Sequence, residues 1–229
     1  MSIDASLCIS DLCGQNDEDA NMANKAPIYL AFATALALVG AGGWWMTRTD
    51  DGDRFASCRQ GVVAGGLDML GGPFTLTDEN GQRVTDKDVF TKPSLLYFGY
   101  SFCPDVCPLD SARNASAADL LTERGYDAQT VFITVDPKRD TPDVLREFTD
   151  YLHPDMLGLT GTTEEIAAVN KSWRNYFKLN DEEDPEYYLV DHTTNTFLVL
   201  PEYGTVEFFR RDLSPEDMAA RVGCFVDKM

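Results

Sequence analysis

The distribution of apolar side chains along the chain predicts alternating strands and helices. Two short runs, 94–99 and 130–135, are apolar almost throughout, which is typical of strands buried at the centre of a sheet. Residues 74–84 are predicted to form a hairpin, because an Asn-Gly dipeptide lies at their middle and suits a tight turn. The two apolar runs flank a predicted helix over 110–123, so a strand, a helix and a second strand follow the hairpin.

Three later helices are predicted from start signals that precede apolar positions at helical spacing. Thr141 supplies an N-cap and is followed by a proline at the first helical position. Thr162 and Glu165 have the spacing of a capping box, and Ser214 opens the last helix. The helix after Thr162 is predicted to present one apolar face, made of Ile166, Val169, Trp173, Tyr176 and Phe177.

Three strand-like runs, 187–190, 196–200 and 205–209, precede the last helix and predict a β-meander. The full order is then hairpin, strand, helix, strand, helix, short strand, helix, meander and helix. Alternation of this kind predicts an α/β sandwich that forms one domain.

A long uncharged apolar segment lies ahead of these elements, at 26–46. Its length matches a hydrocarbon core of about 30 Å, and a Trp-Trp pair lies where an interfacial aromatic belt is expected. We therefore predict a single transmembrane anchor there, with a cleaved signal peptide as the alternative. The division is then a tail at 1–25, with translation starting at Met1 or Met22, the anchor, a linker or collar at 47–72, and a folded domain at 73–229.

Composition narrows the classes of partner. The chain has 229 residues, a net charge of −19 and a pI near 4.3. Nucleic acid and anionic membrane surfaces are disfavoured as partners because both repel such a surface. Basic proteins or cations fit the charge, and so does a simple role in solubility.

Candidate chemistry is concentrated at Cys103 and Cys107, in the segment Phe-Cys-Pro-Asp-Val-Cys-Pro that follows the buried strand 94–99. Pro108 suits the first position of the next helix, which would make Cys107 its N-cap. Unpaired N–H groups and the helix dipole favour thiolate at such a place. Thiolate is both the nucleophile of disulfide exchange and a ligand for soft metals, although two structural cysteines would give the same pattern.

Four segments in order, 96–108, 132–142, 158–161 and 190–193, resemble the signature blocks of the Sco/SenC family. The resemblance covers roughly residue 73 to the C-terminus, together with the N-terminal anchor. It implies a thioredoxin-like three-layer sandwich with an N-terminal hairpin and an inserted β-hairpin, preceded by a single membrane helix. It also implies a copper-binding role in assembling the dinuclear copper centre of cytochrome c oxidase.

The resemblance further implies which residues bind copper, as Cu(I) or Cu(II): Cys103, Cys107 and His192. Asp191 and Asp136 are candidates for supporting the ligands, and a turn-stabilising or strand-end role is the alternative for each. The remaining histidine, His153, is expected to lie at the surface.

If the domain lies outside the cytoplasm, as the resemblance implies, two further predictions follow, on disulfide pairing and on location. In an oxidising compartment we expect Cys58 and Cys224 to form a disulfide, with two unpaired thiols as the alternative. Cys103 and Cys107 are expected to form a redox-active disulfide when oxidised. The implied location is the bacterial inner membrane, crossed once, with the domain in the periplasm.

Two functions remain open from the sequence. One is copper delivery to a copper-bearing oxidase subunit or another cuproprotein. The other is a thiol–disulfide oxidoreductase that reduces the cysteines of the copper acceptor, and the two are compatible because metal binding needs reduced thiols. A peroxiredoxin-type peroxidase is disfavoured, since Tyr100 stands three residues before Cys103 where that family has threonine.

Overall fold

The structure is a computed structural model that describes residues 34–39, 53–60, 66–182, 184 and 187–229. The unit Met1–Asp53 contributes a helical segment, α1, over 34–39. Most of the predicted anchor at 26–46 lies outside the described residues, as do Cys8 and Cys13. None of the helices within the described ranges has both the length and the apolar character needed to cross a membrane.

The second unit, Arg54–Met229, carries the sheets and the remaining helices. Its strands are β1 Thr75–Asp78, β2 Arg83–Thr85, β3 Ser94–Gly99, β4 Gln129–Thr134, β5 Met156–Thr160, β6 Phe177–Leu179, β7 Val190–His192, β8 Thr196–Leu200 and β9 Gly204–Phe209. Its helices are α2 Asp86–Val89, α3 Val106–Glu123, α4 Pro142–Leu152, α5 Thr163–Ser172 and α6 Pro215–Val226. A 3₁₀ turn at Leu67–Met69 precedes them.

The main sheet has seven strands in the order β2-β1-β5-β4-β3-β8-β9. Strand β3 is an interior strand, parallel to β4 and antiparallel to β8, and all six of its residues are buried. The carboxyl ends of β3 and β4 and the start of β8 therefore meet at one edge of the sheet. Loops that leave or enter this edge have their side chains brought together.

Apolar side chains cover both faces of the sheet. Leu95 belongs to the cluster formed with α3 and α6, whereas its neighbour Leu96 belongs to the cluster that contains Leu145 of α4 and Ile166 of α5. Adjacent residues of a strand point to opposite faces, so the sheet is the middle layer of three. The predicted α/β sandwich and the N-terminal hairpin β1–β2 are confirmed.

The predicted meander is only partly correct. Strands β8 and β9 join the main sheet, but β7 pairs with β6 in a separate two-stranded sheet. The physical reason is that α5 ends at Ser172, and Arg174 then adopts a left-handed φ of 49° that turns the chain. Phe177, predicted on the helix face, therefore lies on β6, directly opposite His192.

Residues before the main sheet are part of the same compact unit. A disulfide joins Cys58 to Cys224 of α6, as predicted from the sequence. Phe55 packs on Tyr203 and Phe225 with ring centroids 5.2 and 5.6 Å away. The Arg59 Nε donates to the Val206 carbonyl at 3.0 Å, so residues 55–59 are held to β9 as well as to α6.

The Cys58–Cys224 bridge closes a loop of 166 residues and should stabilise the fold by restricting the unfolded chain. We expect its removal to lower the free energy of unfolding by about 2–4 kcal/mol. The measurement is urea unfolding of a Cys58→Ser/Cys224→Ser variant in a background that already carries Cys103→Ser and Cys107→Ser. The background protein treated with reductant should match the variant, and equal midpoints with and without the bridge would contradict the prediction.

Candidate metal centre

Cys103, Cys107 and His192 meet at the edge where β3 ends. Cys103 lies in the loop after β3, Cys107 lies in the first turn of α3, and His192 is the last residue of β7. Cys107 is fully buried, while Cys103 and His192 are partly exposed. The three residues that the family resemblance singles out are therefore brought together, with the outer thiol and the imidazole open to solvent.

Helix α3 begins earlier than the sequence indicates. Its N-cap is Asp105, so Cys107 is the second helical residue and the prediction that it is the N-cap is wrong. The reason is that the first four N–H groups of a helix have no partner within it, so Pro108 fits at the third position without losing a hydrogen bond. The free N–H of Cys107 instead donates to the Cys103 sulfur at 3.3 Å.

The two thiols hold their protons very differently. The hydrogen bond from the Cys107 side chain, together with contacts from His192 and backbone N–H groups, lowers the pKa of Cys103 to about 3, although partial burial opposes it. The hydrogen bond to Cys103 and full burial raise the pKa of Cys107. Two adjacent sulfurs cannot easily both be charged, so the pair holds one thiolate, on the more exposed Cys103.

His192 is oriented by a backbone carbonyl. Its Nδ1 lies 2.9 Å from the oxygen of Thr193, and a carbonyl can only accept, so Nδ1 carries the proton. The lone pair of Nε2 then faces the Cys107 sulfur at 3.3 Å. Tyr97 and Tyr100 pack edge-on against the ring, with centroids 6.1 and 5.9 Å away. The imidazole thus presents the nitrogen that metals bind.

Asp136 contacts the site through an arginine. One of its oxygens accepts from Arg139 Nε at 2.5 Å and the other from Tyr188 at 2.8 Å. The Arg139 guanidinium lies 3.6 Å from the Tyr188 ring centroid and 5.0 Å from that of Phe102, next to Cys103. Burial, with the nearby Asp136, raises the pKa of Tyr188 to about 12, which keeps its hydroxyl a donor.

Asp191, the other supporting candidate, is directed elsewhere. It is exposed, and its carboxylate accepts from the Asn180 side chain at 3.1 Å. Alternation along β7 places it on the opposite side from His192. His153 Nε2 lies within hydrogen-bonding distance, 3.0 Å, of Asp119 Oδ1 on α3. The contacts of His153 do not include the thiols.

Sequence reasoning missed three groups that shape the site. Asp140 is buried and accepts from the backbone N–H and hydroxyl of Ser101, which fixes the loop to β4. Asp110 is buried one turn beyond Cys107 and accepts from the Tyr97 hydroxyl at 3.1 Å. The third is the Thr193 carbonyl. Asp140 lies in the segment 132–142, which offered a signal, whereas a backbone carbonyl leaves none in a sequence.

The donor atoms suit a soft or borderline metal ion. Thiolate sulfur and neutral imidazole are the ligand types of Cu(I), and zinc accepts the same set. Within the described ranges, the Cys, His, Asp and Glu side chains form no preassembled cluster of three. The thiols and imidazole contact one another pairwise instead: Cys103 with Cys107, Cys107 with His192, and His192 with Cys103. The residues thus fit such an ion chemically and already lie next to each other.

Comparison with known proteins gives a consistent result. A family model described as SCO1/SenC matches residues 64–227. Protein SenC of Rhodobacter capsulatus is 50% identical over 209 residues, which cover 91% of this chain and 94% of that protein.

Solved structures show the same fold. Arabidopsis thaliana ScoI with copper bound is 38% identical, with a TM-score of 0.65 and coverage of 69% of this chain and 99% of that one. Yeast Sco1 with copper bound is 36% identical, with a TM-score of 0.66 and coverage of 70% and 90%. With the family model matching well over half of its residues, this chain belongs to the SCO1/SenC family.

Proposed function

We propose that this protein binds copper through Cys103, Cys107 and His192 and serves the assembly of the dinuclear copper centre of cytochrome c oxidase. The observation that carries the proposal is the contact of Cys107 with both Cys103 and His192, at 3.3 Å to the imidazole Nε2. Copper-bound Arabidopsis and yeast relatives, which share the fold, support copper as the ion. The oxidase role is what the family resemblance implies.

The roles of the residues follow from their surroundings. Cys103 is the accessible thiolate and makes the first contact with an incoming ion. Cys107 gives up its proton when it becomes a ligand, since a bound metal ion stabilises the thiolate form. His192 supplies a nitrogen whose orientation is already set by the Thr193 carbonyl, so little order is lost on binding.

The same pair supports a second function, reduction of the acceptor's cysteines. The Cys103 thiolate attacks one sulfur of an acceptor disulfide, forming a mixed disulfide and releasing the other sulfur as a thiolate. Cys107 then attacks the Cys103 sulfur and releases the second acceptor thiol. The acceptor gains two electrons and, from Cys107, one proton; water protonates its other thiolate, and Cys103–Cys107 becomes the disulfide. Exposure of Cys103 above a buried Cys107 favours this order of events.

Membrane attachment and a periplasmic location belong to the same proposal. The uncharged segment 26–46 supports a single anchor in the bacterial inner membrane. The Cys58–Cys224 disulfide supports an oxidising compartment for the domain.

Replacing His192 by alanine should remove copper affinity while leaving the thiols reactive. Loss of groups that merely orient a metal ligand costs about 10–100-fold in affinity, so loss of the ligand itself should cost about 100-fold or more. The measurement is anaerobic competition for Cu(I) against a chromophoric chelator.

His153→Ala is the matched control, because it removes the other histidine of the chain and should leave the affinity unchanged. Unaltered copper affinity in His192→Ala would show that the His192 imidazole is not a copper ligand. Loss of disulfide exchange together with copper affinity would argue against separate roles for the ring and the thiols.

Alkylation of the reduced, copper-free protein should occur at Cys103 with little dependence on pH. Its pKa of about 3 means that it is already thiolate at pH 5, whereas an ordinary thiol gains about tenfold in rate per pH unit below pH 8. We expect less than about a twofold change in the iodoacetamide rate at Cys103 between pH 5 and pH 8. Peptide mass mapping identifies the modified residue.

Cys107 should remain unmodified until the protein unfolds, because it is buried and protonated. The Cys103→Ser variant is the control and should react slowly throughout this pH range. A tenfold rise per pH unit at Cys103, or equal labelling of both thiols, would contradict the prediction.

A further inference from the structure

A groove of about 320 Å³ lies beside the thiols, between the loop after β3 and helix α4. Its walls are Ser101 and Phe102 on the loop side and Val144, Glu147, Phe148 and Tyr151 on the helix side. The loop side ends at Phe102, the residue immediately before Cys103. A ligand in the groove therefore lies against the loop that carries the Cys103 thiolate.

Helix α4 has a second apolar face that the core covers only in part, through Phe148 packed on Phe132 with ring centroids 5.0 Å apart. Leu145 and Thr149 are fully buried against the sheet. Val144, Phe148 and Tyr151 are spaced four and three residues apart, which aligns them on one side of the helix, toward the groove. Tyr151 is 88% exposed, and Phe148 is only partly covered by the core. Exposed aromatic surface next to a reactive group is characteristic of an interaction site.

Phe102 completes the apolar surface from the other side. Its side chain is 55% exposed, although it lies in a loop whose backbone is fixed by Asp140 through Ser101. The Arg139 guanidinium, 5.0 Å from the ring centroid, holds the ring in place. A rigid exposed aromatic side chain loses little conformational freedom when a partner covers it.

The groove has an acidic margin. Glu147 lines it, and Asp143 and Asp150 are exposed on the same helix. Arg146 pairs with Asp143, and Arg139 beside Phe102 pairs with Asp136, so Glu147 and Asp150 add net negative charge on this side of the groove. A positively charged partner is therefore favoured here over an acidic one.

We propose that this groove receives an extended segment of the acceptor protein that carries a large apolar side chain and a lysine or arginine close to its reactive cysteine. The inference rests on the proposed function, because it assumes that Cys103 exchanges copper or a disulfide with a cysteine of a partner. It adds the chemistry by which that partner is recognised.

Disulfide exchange with short peptides tests the groove without copper. Each probe is a peptide whose cysteine is linked to thionitrobenzoate, and the reduced protein is the attacking thiol. The Cys103 thiolate bonds to the peptide sulfur, the peptide–thionitrobenzoate S–S bond breaks, and coloured thionitrobenzoate leaves as a thiolate. Its absorbance gives the second-order rate constant.

Three peptides separate the two features of the partner. One has Phe and Lys beside the cysteine, one has Gly and Lys, and one has Phe and Glu. Partial burial of one aromatic side chain should make the Phe–Lys peptide react about tenfold faster than the Gly–Lys peptide. The Phe–Glu peptide should be slower than the Phe–Lys peptide, and the difference should shrink in high salt.

Variants on α4 assign the preference to the groove. Tyr151→Ala with Val144→Ser should remove the Phe-over-Gly preference, and Glu147→Gln should reduce the Lys-over-Glu preference. Tyr187→Ala is the matched control, because it removes a tyrosine that is 79% exposed outside the groove and should change neither preference. All variants should react equally fast with the thionitrobenzoate disulfide of mercaptoethanol, which reports an intact Cys103.

Equal rates for the Phe–Lys and Gly–Lys peptides with the wild-type protein would overturn the groove proposal, and so would a preference that survives the α4 double variant. The proposed function is judged separately, by copper retention in the same preparation. If the protein binds copper but shows no peptide preference, only the groove proposal is rejected. If it shows the preference but binds no copper, the groove proposal stands and the copper-binding function is rejected.

Discussion

The site depends on the register of the central strands. Tyr97 of β3 pairs with Thr196 of β8, and Gly99 pairs with Thr134 of β4. These pairings fix where the chain leaves β3 and where it enters β8, so Cys103 and His192 meet although about ninety residues separate them. A shift of one residue in either pair would move every side chain of a strand to the opposite face. The chemistry of three residues is thus held by hydrogen bonds of a sheet that contains none of the three.

Around this frame, buried carboxylates organise the loops. Asp140 holds the loop after β3, Asp136 holds Arg139 beside Phe102, and Asp110 holds Tyr97 against His192. Each carboxylate is nearly or fully buried and has hydrogen-bonding partners, as buried charge requires. Asp110 also contributes to the raised pKa of the Cys107 thiol. Buried carboxylates therefore set the geometry of the site, and one of them also affects how the thiol pair holds its proton.

The sequence was sufficient for the fold class, the hairpin β1–β2 and the position of the thiols, because these follow from local patterns. Helix α3 began earlier than predicted, since a proline is tolerated anywhere in a first turn and does not mark its start. Between α5 and β6 the chain passes through one left-handed residue, Arg174, whose conformation no periodicity reveals, so the pairing of β6 with β7 was not predicted. His192 was identified only through its matched segment, since its role comes from a tertiary contact. The groove beside Cys103 was invisible in the sequence, because exposed and buried aromatic side chains look alike there.

The packing of residues 55–59 determines which end of this unit is open to a partner. Phe55 packs on Tyr203, in the turn between β8 and β9, and that turn lies at the opposite end of the sheet from the start of β8. The five residues of β8 separate the two ends, a distance of about 17 Å. Residues 55–59 thus pack at the end of this unit remote from Cys103, and the Cys58–Cys224 disulfide holds them against α6. A partner bound at Cys103 therefore approaches this unit from the end of the sheet opposite to residues 55–59.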